Sequence, residues 1–151
     1  MSGARRSFQI LSVNVSERVG EQKKPAPGGR VVLQANHGIV GDAHAGEWHR
    51  QVSLLASEDI DTMRGRGVQI GFGDFAENIT TKGVELGALP VGTRLYLGEA
   101  ELEVTQIGKE CHFGCAIRQA VGDCVMPRRG VFARVLKGGE VGVDSDCAYD
   151  L

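Results

Sequence analysis

The chain has 151 residues, a net charge of −2 and 42% hydrophobic residues. A chain of this length buries about 70% of its unfolded surface, so one domain over residues 1–151 needs no disulfide or structural metal to hold its core. The small net charge excludes the electrostatic footprint of a nucleic-acid or anionic-membrane binder, and no apolar run approaches the roughly 20 residues that span a bilayer.

Glycine stands at 22 residues, about twice its usual share, without the three-residue period of collagen. Spread among β-branched segments, it fits tight turns between short strands. Ala4-Arg5-Arg6-Ser7-Phe8 has the outline of a twin-arginine signal. The apolar stretch behind it ends at Val15 and is followed by Glu17 and Arg18, too short for export. A cytoplasmic location is therefore expected. Thiols are reduced there, so the four cysteines stand for free thiols, metal ligands or catalysis rather than a disulfide frame.

In chain order, Phe8 to Val15 is expected as a first strand, and Ser16 to Arg30 as a polar loop ending in Gly28-Gly29. Arg30 to Ala35 is a second strand. Asn36 to Arg50, with three glycines and three histidines, has the length at which loops carry function. Gln51 to Ala56 is a strand. Ser57, followed by Glu58, Asp59 and Asp61, opens a short helix reaching about Arg64. Asn78 to Thr81 is a short strand. Thr93 to Leu97 and Ala100 to Ile107 form a hairpin through Gly98-Glu99, with Leu102 and Val104 alternating against Glu101, Glu103 and Thr105. Cys111 to Gly122 is ambiguous between helix and loop. Val131 to Leu136 is a strand, and Gly138-Gly139 turns the chain into Glu140 to Val143. Many short strands between glycine turns predict a mainly β barrel or sandwich with a few short helices.

The segment richest in chemistry is Gly108-Lys109-Glu110-Cys111-His112-Phe113-Gly114-Cys115, with Cys124 nine residues on. A thiolate is both nucleophile and metal ligand, and Lys109 and His112 can stabilise one at Cys111. The rival is a closed metal site built from Cys111, His112, Cys115 and Cys124, although the second cysteine pair of a structural zinc site is missing. Cys147 stands apart from this group. In Gly41-Asp42-Ala43-His44-Ala45-Gly46, an aspartate beside a histidine can orient the imidazole, bind a metal or accept from a ligand; the simpler role for Asp42 is to cap a turn. His37, His44 and His49 match no standard ligand spacing. Asn78, in Gly73-Asp74-Phe75-Ala76-Glu77-Asn78-Ile79, can give an amide to a ligand or bond within its own turn. Arg128, Arg129 and Arg134 can grip a phosphate or carboxylate if they converge. Phosphate-loop, dinucleotide and serine-elbow motifs are absent.

Together, Gly38 to Gly46, Arg50 to Leu55, Gly73 to Ile79 and the run from Cys111 to Val141 resemble the MOSC domain, named for the C-terminal domain of molybdenum cofactor sulfurases. The run from Gly122 to Leu136 resembles its short bacterial members. The resemblance implies a β-barrel-like fold related to the pyruvate kinase barrel domain. It also implies a role in binding molybdopterin, the molybdenum cofactor, or in carrying sulfur, with possible sulfurtransferase-like chemistry. In that family Cys111 corresponds to the residue that carries a persulfide or ligates molybdenum. His44, Asn78, Lys109 and Arg134 are then expected to line the pterin-phosphate pocket, and a cysteine desulfurase or a cofactor-biosynthesis or acceptor enzyme is the implied partner. The chain lacks the pyridoxal-phosphate domain of the full sulfurases, and Lys109-Glu110 stands where many relatives carry arginine and proline. Two alternatives remain open: a small molybdenum oxidoreductase of the amidoxime-reducing type, and a non-catalytic binding module with a structural Cys/His metal site.

Overall fold

The computed structural model describes residues 5–18, 22–64, 70–108 and 129–150. In chain order these form β1 (Arg5–Val15), β2 (Lys24–Pro25), β3 (Arg30–Gln34), β4 (Gly38–Ile39), β5 (Val52–Ala56) and α1 (Ser57–Arg64). Then come β6 (Ile79–Lys82), β7 (Arg94–Leu97), β8 (Ala100–Ile107), β9 (Val131–Lys137), β10 (Gly139–Gly142) and β11 (Cys147–Asp150). Seven strands run in the order β11-β7-β8-β9-β5-β6-β1, and the sheet closes on itself because β11 also pairs with β1. Among the described residues only β5 and β6 run parallel, with α1 in the crossover between them. A second sheet of three strands has the order β10-β3-β4. The mainly β barrel expected from the sequence is what the chain forms. Among the described residues it carries α1, two 3-10 turns at Pro27–Gly29 and Leu86–Ala88, and a helical residue at Arg129.

Period-2 patterning decides which side of each strand faces the interior. In β8, Ala100, Leu102 and Val104 are buried while Glu101 and Glu103 stay half-exposed. In β9, Val131, Ala133 and Val135 fill the interior and Arg134 faces out. Gly98, at φ +60°, supplies the positive φ that a two-residue hairpin loop demands, with Leu97 opposite Ala100. β5 is buried along its whole length. Val52, Leu54 and Ala56 enter the core, and α1 packs over β5 and β6. β8 and β9 shift register between Val104 and Gln106, a β-bulge that leaves Thr105 as the extra residue.

The closing strand, β11, is not among the strands expected from the sequence. It pairs Arg5 with Asp150 through Phe8 with Cys147 on one side, and Cys147 with Leu97 on the other. The rings of Phe8 and Tyr149 sit 6.1 Å apart across this seam. Cys147 therefore belongs to the barrel wall. Burial, with the charge of Asp146 added, pushes its thiol from 9.0 up to about 12, which leaves about a thousandfold less thiolate at neutral pH. Alkylating the native protein with iodoacetamide at pH 8 should leave Cys147 unmodified in a mass-spectrometric peptide map. Modification at the rate of a denatured control would contradict a closed barrel.

Candidate functional site

Three loops meet on one buried ion pair. Lys23 Nζ lies 2.8 Å from Asp42 Oδ1, and both side chains are 0% exposed. Lys23 Nζ also donates to Ser16 Oγ at 3.0 Å. Asp42 accepts the backbone N–H of Ser16 on one oxygen and that of His44 on the other. The backbone N–H of Lys23 donates to Gly73 O. At Gly73, with φ +87°, a Cβ would stand 2.3 Å from Lys23 O, so only glycine lets these two loops touch. Desolvation raises the Asp42 carboxyl, but the hydrogen bond and charge of Lys23, with the two N–H donors, outweigh it and hold the group below its ordinary range.

The Gly73–Asn78 turn is built from its own polar groups. Glu77 is 0% exposed. Its Oε1 accepts the N–H of Phe75 and its Oε2 the hydroxyl of Thr80; burial still pushes its carboxyl above the usual carboxylate range. Asn78 is equally buried. Its Oδ1 accepts the N–H and hydroxyl of Ser53, and its Nδ2 donates to Asn14 O. Asn78 thus ties β5 to β1 from the start of β6. Its amide is committed inside the protein instead of being turned toward a ligand.

The other residues singled out in the sequence fall in different places. His44 is half-buried, with Nδ1 3.9 Å from Asp42 Oδ2. Arg134 lies on the outer face of β9 and is ion-paired to Glu103, its Nη2 2.7 Å from Glu103 Oε1. No hydrogen bond or ion pair joins His44, Asn78 and Arg134 to one another. Arg129 is likewise engaged, 3.1 Å from Asp59 and 3.4 Å from Glu85, beside a cavity of about 360 Å³. Cys111, Lys109, His112, Cys115, Cys124 and Arg128 lie outside the described residues. Among the described residues no group of three or more His, Cys, Asp and Glu side chains is placed to hold a metal, so His37, His44 and His49 do not form a ligand set.

A cluster that the sequence reading did not assemble lies where the chain leaves β8 and re-enters β9. Gly108, at φ +73°, donates its N–H to Gly130 O at 2.7 Å, clamping the two ends of the 109–129 connection. The bulge puts two successive side chains of β8 onto His49. Thr105 Oγ1 donates to His49 O at 2.5 Å, and Gln106 Oε1 lies 2.8 Å from His49 Nε2. Gln106 Nε2 in turn donates to Gly108 O at 2.7 Å. The neighbouring Arg50 places its guanidinium carbon 4.7 Å from the Trp48 ring and 5.6 Å from that of Phe132. Arg50 Nε is buried with no hydrogen-bond partner. The Trp48 indole is fixed by donating to His44 O at 2.8 Å, so the Asp42 loop and this cluster are mechanically joined.

Two expectations follow. Lys23→Met leaves the Asp42 carboxylate buried and uncompensated, and should lower unfolding free energy in urea by about 3–5 kcal/mol. A loss under about 1 kcal/mol would class the pair with exposed ones. Asp42 has a folded-state pKa below the ordinary 3.8. Its stabilisation is therefore present above the unfolded value and lost as pH falls through the folded one, and this acid limb should flatten in Lys23→Met. Asn78→Leu strands the Ser53 N–H and the Asn14 carbonyl, at about 1–3 kcal/mol each. Calorimetry returning wild-type stability would show the amide is not the strut described.

The sequence profile of the MOSC domain matches residues 41–147. No curated protein matches the chain. Among solved structures, the YuaD protein from Bacillus subtilis superposes with a TM-score of 0.80 at 17% identity, covering 99% of each chain. YiiM from Geobacillus stearothermophilus gives a TM-score of 0.71 at 20% identity, covering 95% of this chain and 75% of that one. YiiM from Escherichia coli gives 0.67 at 17% identity, covering 97% and 70%. At these identities the neighbours speak for the fold, and the profile over most of the barrel speaks for the family: the chain belongs to the MOSC domain family.

Proposed function

We propose that this MOSC domain binds a molybdopterin-type cofactor on the face where β8 and β9 part, and that Cys111 serves there as a sulfur carrier or metal ligand. The observation that carries the reading is a half-buried, unpaired guanidinium, Arg50, hydrogen-bonded neighbours away from Gly108, the last described residue before the cysteine-bearing connection. Two residues separate Gly108 from Cys111, and the three Cα–Cα steps between them span about 11 Å at most. The family supports a cofactor-related role, and a buried cation without an acceptor fits an anionic group of such a cofactor.

Bound on this face, the cofactor would supply the molybdenum and its sulfur ligand; the chain would supply the binding groups and a thiol. Arg50 would meet the anionic part, while His49 and Gln106 hold the stem at Gly108 in place. Sulfur loading needs only exchange chemistry. The Cys111 thiolate attacks the outer sulfur of a donor persulfide, a new S–S bond forms at Cys111, the donor's S–S bond breaks, and the donor leaves as a thiolate. No net oxidant is required. The donor would be a separate protein, such as a cysteine desulfurase. His44 and Lys109 belong to this proposal as flanking groups. Asn78 enters it only through the turn it braces, and Arg134 only through its pairing with Glu103.

The test is direct. Reduced protein is incubated with a cysteine desulfurase and labelled cysteine, and its intact mass is recorded. Wild type should gain one sulfur atom and Cys111→Ala none. Equal gain by the variant would end the carrier reading.

A further inference from the structure

We propose that His49 is the proton acceptor for thiol exchange at Cys111, and that Gln106 is the positioning residue that presents its Nδ1 for the task. This rests on the carrier reading above and adds where the thiol proton goes.

The assignment follows from one backbone carbonyl. Gly108 O only accepts, so the Gln106 atom 2.7 Å from it is the amide nitrogen, Nε2. The amide oxygen, Oε1, is thereby turned to the His49 ring, 2.8 Å from its Nε2. An amide oxygen also only accepts, so the ring nitrogen facing it carries the hydrogen. A neutral imidazole has a single N–H, which leaves the lone pair on Nδ1. Thr105 Oγ1 holds the His49 carbonyl at 2.5 Å, and the Trp48 ring stands edge-on with its centroid 6.2 Å from that of the imidazole. Nδ1 meets no hydrogen-bond partner among the described residues, and His49 is exposed, so the ring is open to an incoming donor. The described residues tied to the Gly108 stem are Gln106, Gly130 and, through Gln106, His49. Of these only the imidazole exchanges a proton near neutral pH. The step balances without an oxidant. Nδ1 takes the Cys111 thiol proton, and the thiolate attacks the outer sulfur of a donor persulfide, which keeps its own hydrogen. The donor's S–S bond breaks, and its thiolate leaves with the proton from Nδ1.

Two measurements on the full-length protein check this. Long-range nitrogen-15–proton correlation of the histidine rings should show His49 as the Nε2–H tautomer in wild type and as a mixture in Gln106→Leu. Sulfur loading from glutathione persulfide is followed by intact mass against time. At about pH 7, loading should slow at least about tenfold in His49→Gln, which keeps an N–H toward Gln106 Oε1 and lacks the acceptor. Gln106→Leu should load at a rate between the two. At about pH 9.5, above the ordinary thiol pKa of about 8.5, the thiol ionises unaided and all three should load alike. An Nδ1–H tautomer in wild type overturns the proposal. So does loading of His49→Gln at the wild-type rate at about pH 7, or a deficit that persists unchanged at the higher pH, which marks a purely structural role. Gln106→Leu with wild-type tautomer and rate removes the positioning role. Any of these results, with sulfur still gained by wild type and not by Cys111→Ala, sinks this inference alone. No gain by wild type, or equal gain by Cys111→Ala, removes the carrier reading and the base assignment with it.

Discussion

The Lys23–Asp42 contact is the interaction on which the functional face depends. Two charges with 0% exposure persist in a low-dielectric interior only when each is fully bonded. That requirement reaches outward. Lys23 must present its ammonium, so its loop is pinned to Gly73. Asp42 must fill both oxygens, so the backbone of Ser16 and His44 is drawn in. His44 then offers its carbonyl to Trp48, and Trp48 settles against Arg50. A salt bridge remote from β8 and β9 in sequence is thereby linked, through His44 and Trp48, to Arg50, a half-buried cation beside their parting. Such a pair adds little net stability compared with an apolar replacement of both partners; what it secures is a single arrangement of three loops.

The barrel was readable because period-2 alternation is a local signal. β8 shows its alternation within eight residues, and Gly98 announces the hairpin. β11 was not readable. Its four residues follow a polar turn and carry no distinctive pattern, and their role exists only through pairing with β1 about 140 residues earlier. The same locality explains the site. Asn78 has the residue type of a ligand-binding amide, but Ser53 and Asn14, which consume it, are distant in sequence. Lys23 looks like any lysine in a Pro- and Gly-containing loop until Asp42 is brought to it. Arg50 was visible only as the last residue of the Asn36–Arg50 loop and the first of the family-like stretch Arg50 to Leu55, although the sequence Trp48-His49-Arg50 holds one half of its aromatic clamp. The other half, Phe132, comes from the far side of the 109–129 connection.

Backbone similarity to YuaD and YiiM at 17–20% identity fits this division. A barrel asks for apolar residues at alternate positions, turn glycines where φ is positive and a closing strand, and many sequences satisfy those demands. The polar arrangement is more exacting. A Cβ at Gly73 would collide with Lys23 O at 2.3 Å, and Glu77 and Asn78 depend on particular donors in neighbouring strands.

The bulge at Thr105 has a consequence for how β8 can vary. Before it, even-numbered residues point inward: Ala100, Leu102 and Val104. After it, Ile107 packs on the core opposite Val131, so the inward parity has switched to odd numbers. Thr105 and Gln106 consequently share the outer side and both grip His49. Removing either residue would restore a regular pleat with the other still facing out, so only one side chain would remain to reach His49. Insertions and deletions of one residue in β8 are thus frame errors for the face, even where every substitution around them is tolerated.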